Sequence, residues 1–565
     1  MKLERPHATA LGTAVGLALV LAAATASAAT PTVTWSCNDG LWEVAECWDP
    51  PRLPADGDTV LVPAVGGAAT TLRVADTTEF AAATAIFVDN PAEGVTPLLS
   101  VEGGLLVPYD RLVAGDAGSG AVSQSGGLVS TDGGWLVLGN QWGASGSYTL
   151  SGSGELNLLR QTVGLEGDGQ FTQKGGNNYA LTLELGYGAV SPWQPSEGDY
   201  DLSGGTLSAT DEYVGMAGNA SFLHTGGTNQ VGGTLYVGYA GTPGPPAETA
   251  RTAAATVPVF GFFHSYELSG EETSLSAATE VVGHGTGGDF TQSGYSGNTV
   301  SGTLVVGEAE GFGSYHLDGG FLIAGNEVIG GASGSGDFVQ HEAYHEVDGT
   351  LTVALDDTSS GSFEQYGGTL VAGTIQVNAG GSFTYDGDAA AELVANEIHV
   401  APGAAFTFTG GRLDVADFYI PLLENGGGTL SPGDSPGRTT IHGSYAVTDP
   451  AATLEIEIAG LVAGSEYDQL VVEGDATLGG TLEVVLLDFL PQVGDTFDVL
   501  IADTLGGSFD QTLFPVVEGI TFDVAYLDVE GQGIVRLTAV AVPEPTGLLL
   551  VATALLGIAA ARRRA

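Results

Sequence analysis

Along the middle of the chain, apolar and polar positions alternate in short runs closed by glycine, and the same phrase returns about every 24 residues. It is clearest at Leu304-Val305-Val306-Gly307, followed by Gly313-Ser314-Tyr315-His316-Leu317-Asp318-Gly319-Gly320. One aromatic residue anchors each unit: Tyr148, Phe171, Tyr200, Phe222, Tyr266, Phe290, Tyr315, Phe338, Phe363, Phe383 and Phe406. Alternation with a period of two predicts strands, and a fixed repeat of this length predicts a solenoid, whose units bury their apolar edges only by stacking. The expected fold class is all-β, with a right-handed parallel β-helix (β-solenoid) of about twelve coils from Val101 to Leu413. At ~4.8 Å per coil its length would be roughly 60 Å. Only the Pro- and Ala-rich stretch Pro243 to Val257 breaks the array, and it reads as a surface loop.

The repeat has a second layer. Units reading Tyr-x-Leu (Tyr148/Leu150, Tyr200/Leu202, Tyr266/Leu268, Tyr315/Leu317) alternate with units reading Phe-x-Gln (Phe171/Gln173, Phe290/Gln292, Phe338/Gln340). Phe222/His224 fills one Phe-x-Gln slot, and after Phe338 the alternation lapses. Residues two apart share a face, so each aromatic and its Leu or Gln partner point the same way. If that way is inward, every Gln amide needs a partner, and the backbone of the adjoining Gly-Gly turn is the nearest supply.

The change of grammar along the chain divides it into an export signal at 1–28, a Trp-rich cap at 29–100, the solenoid at 101–425, a smaller C-terminal β domain at 426–540 and a tail at 541–565. At 565 residues and 43% hydrophobic, the chain has the means to fold, and it is too long for one compact domain. Its 67 acidic residues face only 14 basic ones, of which Lys2, Arg5 and Arg562 to Arg564 lie at the ends. A body so acidic repels nucleic acid and anionic lipid, so no nucleic-acid partner is expected.

Lys2 and Arg5, the apolar run Ala10 to Ala23 and the small residues Ala26-Ser27-Ala28 form an export signal, with cleavage expected between Ala28 and Ala29. Next come Trp35, Trp42 and Cys47-Trp48, then Pro54-Ala55-Asp56-Gly57-Asp58-Thr59-Val60. In an exported protein the two cysteines, Cys37 and Cys47, are expected to form a disulfide, because zinc would need more thiolates or nearby histidines. The Trp and Gly-Asp-x-Val spacing resembles the N-terminal cap of exported autotransporter-associated β-repeat proteins. Such rings can plug the open end of a solenoid; exposed on the surface, they would instead suit sugar binding.

One sharp motif stands inside the array. His341-Glu342-Ala343-Tyr344-His345 spells the zinc-protease pattern, which needs a helix to bring two histidines to one metal. Here the letters sit in β register, Asp348 and Leu351 replace the extended motif's Gly and third His, and no metal is expected. Asp356-Asp357 reads as a solvated turn in place of a glycosidase carboxylate pair, and Gly334-Ser335-Gly336-Asp337 is a single, weak fragment of a calcium repeat. No cofactor and no catalytic residue are expected.

Beyond the array lie Pro432-Gly433-Asp434-Ser435-Pro436-Gly437, Tyr467-Asp468-Gln469-Leu470 and Leu478-Gly479-Gly480-Thr481-Leu482. Their order resembles the module that closes autotransporter-like β-repeat proteins. The chain then reads Val542-Pro543-Glu544-Pro545-Thr546, an apolar Gly547 to Ala561, and Arg562-Arg563-Arg564. The apolar stretch suits a short transmembrane helix with its arginines held in the cytoplasm. Together these parts resemble the PEP-CTERM sorting signal, with Pro543, Glu544 and Pro545 as the motif. That resemblance implies a Gram-negative surface or matrix protein, anchored in the inner membrane until an exosortase-type transpeptidase processes it, and associated with exopolysaccharide and biofilm. The expected function is therefore a non-catalytic spacer or adhesin; the alternative is a polysaccharide-active β-helix enzyme.

Overall fold

A computed structural model describes residues 32–542, apart from 93, 132, 192–193, 242–262 and 434. The expected cleavage site at Ala28 and Ala29, the loop Pro243 to Val257, the motif Pro543, Glu544 and Pro545, the apolar tail and Arg562 to Arg564 lie outside the described residues. Among the described residues no helix is long and apolar enough to cross a membrane.

Over the described residues the chain winds as a β-solenoid of about 18 turns, almost without helix. One coil illustrates the plan. Ser335–Gln340 forms the first face, a short turn follows, and the long strand Tyr344–Val353 bends near Gly349 to supply the other two. Each residue pairs in parallel with its equivalents above and below: Phe338 with Tyr315 and Phe363, His345 with Leu322 and Leu370, Leu351 with Glu327 and Ile375. The burial pattern of Ser335–Gln340 alternates strictly, with Phe338 and Gln340 fully enclosed. The core is one continuous stripe running the length of the rod.

The aromatic anchors form an internal ladder. From Tyr148 through Phe363 to Phe383 successive rings lie 4.5–5.0 Å apart, within 15° of parallel. That distance is the strand spacing itself, so in-register pairing forces stacking. Many corners that close the coils take positive φ, which glycine adopts most readily, although Ala354 fills the corner equivalent to Gly307 and Gly330 at φ +59°. Gly307 has φ +75°, and a Cβ there would fall 1.8 Å from the backbone oxygen of Ser335.

About 18 turns exceed the twelve expected, because the ladders run past both expected boundaries. Thr32–Trp35 pairs in parallel with Thr59–Val62, and that strand with Ala81–Val88, so coiling begins inside the cap. Toward the other end Arg412–Tyr419 pairs with Arg438–Ile441, then Gln469–Val472, then Thr496–Ala502, so the segment after 426 continues the same sheet and its ladders show no break at that boundary. The two antiparallel strands Ile520–Val529 and Gln532–Ala541 fold onto Thr496–Ala502 and end the stack.

Candidate functional site

At the first coil Trp35, Trp42 and Trp48 are buried, 0–2% exposed, and meet edge to face at 5.0 and 5.1 Å. The Trp48 indole donates to the Trp42 carbonyl at 2.9 Å. These rings fill the end of the rod and offer no sugar-binding face, since their surfaces are spent on the core. Cys37 and Cys47 are bonded beside them, with Cα atoms 5.2 Å apart.

His341 and His345 stand on opposite sides of the coil wall. His341 is half exposed and shares a hydrogen bond with Asp318 Oδ1 at 2.8 Å. His345 is fully enclosed within a strand, its Nε2 2.8 Å from Glu327 Oε1 and its Nδ1 3.0 Å from Gln340 Oε1. The two rings therefore cannot converge on one metal. Asp356 accepts from the Thr358 amide at 2.8 Å and the Thr358 hydroxyl at 2.6 Å, which hold its carboxyl below the usual range. It closes a turn through Oδ1.

The chemistry-bearing side chains of the array gather inside it. The inward Gln two places after a Phe anchor uses its amide nitrogen on backbone carbonyls: Gln173 on Gly176 and Thr206, Gln292 on Ser296 and Phe321, Gln365 on Gly368 and Glu392. Where a tyrosine stands on the next coil, the glutamine oxygen accepts its hydroxyl: Tyr148 to Gln124 at 2.6 Å, Tyr200 to Gln173 at 2.6 Å and Tyr315 to Gln292 at 2.9 Å. This pairing accounts for the alternation: a Tyr unit follows a Gln unit because each supplies what the other lacks when buried. Burial pushes the Tyr200, Tyr266 and Tyr315 hydroxyls well above their ordinary value, so all three stay protonated donors.

An asparagine extends the layers of Tyr200, Tyr266 and Tyr315. Asn298 Nδ2 donates to Tyr315 Oη at 3.1 Å and to Glu280 Oε2 at 3.0 Å. Asn229 does the same for Tyr266 and Glu212, and Asn178 for Tyr200 and Gln161. The layer therefore recurs every second coil. His224 replaces the glutamine in one copy, and in the last His345 spans Gln340 and Glu327 directly, where Phe363 stands in place of tyrosine. Sequence reasoning missed Asn178, Asn229, Asn298, Glu212, Glu280 and Glu327. For the asparagines the available signal was a polar residue five or six positions after Gln173, His224 and Gln292, as His345 follows Gln340.

Outside, the rings Tyr213 and Tyr236 stack at 5.2 Å, Tyr239 and His284 at 5.0 Å, and His399, Tyr419 and His442 at 4.2 and 4.3 Å. Carboxylates flank the last row: Glu397 on His399, and Asp417 and Glu473 on His442. A hollow of about 220 Å³ lies along the coil corners at Val347, Asp348, Ala372, Gly373, Ala395 and Asn396. Pockets that enclose organic ligands usually reach about 300–1,000 Å³. In the last coils Asp468, fully buried, accepts the amides of Gly437 and Glu457, both at 2.7 Å. The Tyr-Asp-x-Leu phrase thus ties down the Pro-Gly loop.

Comparison of the chain with family models and with curated proteins finds no match.

Proposed function

We propose that this protein is a non-catalytic, exported surface or matrix spacer, sorted through a PEP-CTERM-type tail by an exosortase-like transpeptidase and associated with exopolysaccharide. The observation that carries the reading is the use of the inward polar side chains: buried Gln, Tyr and Asn groups hydrogen-bond one coil to the next. A stack built this way is a stiff, extended body, which suits separating a membrane-proximal end from a distant one. Its acidic surface, net −53 over the whole chain, favours solubility and spacing from anionic lipid. The tail supports sorting through its three parts: Pro543, Glu544 and Pro545 as the motif, the apolar Gly547 to Ala561, and Arg562 to Arg564. The outward stacked rings with flanking carboxylates support contact with a neutral polysaccharide, since rings stack on sugar faces and carboxylates accept from hydroxyls.

The test is incubation of the purified protein with neutral and acidic glycans, following sedimentation with the polymer and release of reducing ends. The spacer reading expects co-sedimentation without new reducing ends. Catalytic release would replace it with a polysaccharide-active enzyme.

A further inference from the structure

Gln161, Glu212 and Glu280 occupy one inward column, separated from each other by Leu183 and Leu235. In each layer one terminal oxygen accepts the asparagine amide: Gln161 Oε1 from Asn178 at 2.9 Å, Glu212 Oε2 from Asn229 at 3.0 Å, Glu280 Oε2 from Asn298 at 3.0 Å. The other terminal atom, Nε2 of Gln161 and Oε1 of both glutamates, is buried without a protein partner. So is the asparagine Oδ1 of the same layer. In the glutamine layer that pair is one donor and one acceptor. A carboxylate in the same place would bury two acceptors together, whereas a carboxylic acid, with one C=O and one O–H, reproduces the amide.

The surroundings agree. Glu212 and Glu280 are 0% and 1% exposed, and among the described residues no Lys or Arg pairs with either. The titratable groups facing Glu280 are Tyr266, Tyr315, Glu212 and Glu327. Those facing Glu212 are Tyr200, Tyr266 and Glu280. His224 lies one hydrogen bond further on, and burial lowers its pKa to about 4, so it supplies no charge at neutral pH. Glu327, by contrast, has His345 at 2.8 Å.

We propose that Glu212 and Glu280 are internal proton sites, held as neutral carboxylic acids, and that the solenoid loosens when those protons leave. Burial raises Glu212 to about 7 and Glu280 to about 8, against the opposing pull of the asparagine amides. An acid that binds its proton more tightly folded than unfolded stabilises the fold fully below the unfolded value of about 4.5. That stabilisation is lost as pH rises through the folded values.

The experiment compares thermal unfolding midpoints of the full chain and the Glu212→Gln/Glu280→Gln double variant between about pH 5 and about pH 9. The native midpoint is expected to fall across this window, and the advantage of the variant to widen with pH. A gap that stays constant or narrows overturns the proposal. Should the variant fail to fold, infrared spectroscopy of the native protein near neutral pH decides. A buried protonated-carboxyl band that disappears at alkaline pH supports the proposal, and its absence at neutral pH overturns it.

Discussion

Tyr315 shows how much a single hydroxyl holds. It donates to Gln292 and accepts from Asn298, so Tyr315→Phe leaves a buried amide oxygen without a donor, at a cost of about 1–3 kcal/mol. Urea unfolding should show a lower midpoint with an unchanged slope; an unchanged midpoint would mean that the hydroxyl carries no weight. The reverse change is available two coils past the last full layer. Gln365 Oε1 is buried and unpartnered, and the ring of the next coil at that position is Phe383. Phe383→Tyr places a hydroxyl on the ring in the register that Tyr315 has to Gln292, and should stabilise by about 0.5–1.5 kcal/mol in the same assay. Destabilisation there would contradict the pairing rule. The inward Gln and its use of turn carbonyls were legible in the sequence, because residues two apart on a strand share a face. Asn298 and Glu280 were not, because they lie on the other two faces, where a bend near each corner hides the register from simple alternation.

The coil is the element of this fold, and its two requirements are a stacked ring and a tight turn. Phe338 lies between Tyr315 and Phe363, each at 4.9 Å, and is 0% exposed. Phe338→Ala should open a void costing about 3–5 kcal/mol. Gly307→Ala should cost more than about 2 kcal/mol, since the turn needs positive φ and its Cβ would meet Ser335 backbone. Gly494, also at positive φ but with nothing near its Cβ position, is the control and should tolerate alanine far better. Equal losses at the two glycines, read by thermal unfolding, would remove the close-approach argument. The aromatic and glycine phrases revealed these coils at sequence level. The first and last coils escaped because they use other fillers: Trp35 and Trp48 at the start, and Leu454, Ile456 and Leu470 after the array. Backbone pairing continued without the phrase, since parallel stacking requires only an apolar inward column and a turn of matching length.

At the scale of the molecule, about 18 turns at ~4.8 Å make a rod roughly 85 Å long, closed by tryptophans at one end and an antiparallel pair of strands at the other. Closed ends matter because an open coil presents unpaired strand edges that invite aggregation. In the proposed sorting, Pro543-Glu544-Pro545 follows Val542 in the sequence, and its prolines would favour an extended approach to the apolar segment. Arginines beyond that segment would fix its topology, the segment would hold the chain at the membrane, and the motif would be the place of processing. Glu544→Ala should accordingly trap a longer, membrane-bound form. The most direct measurement is the mass of the C-terminal peptide of protein released from the surface of cells with a working exosortase. The account predicts a chain that ends near Pro543 to Thr546 and lacks Arg562 to Arg564; an intact tail on the released protein would contradict it.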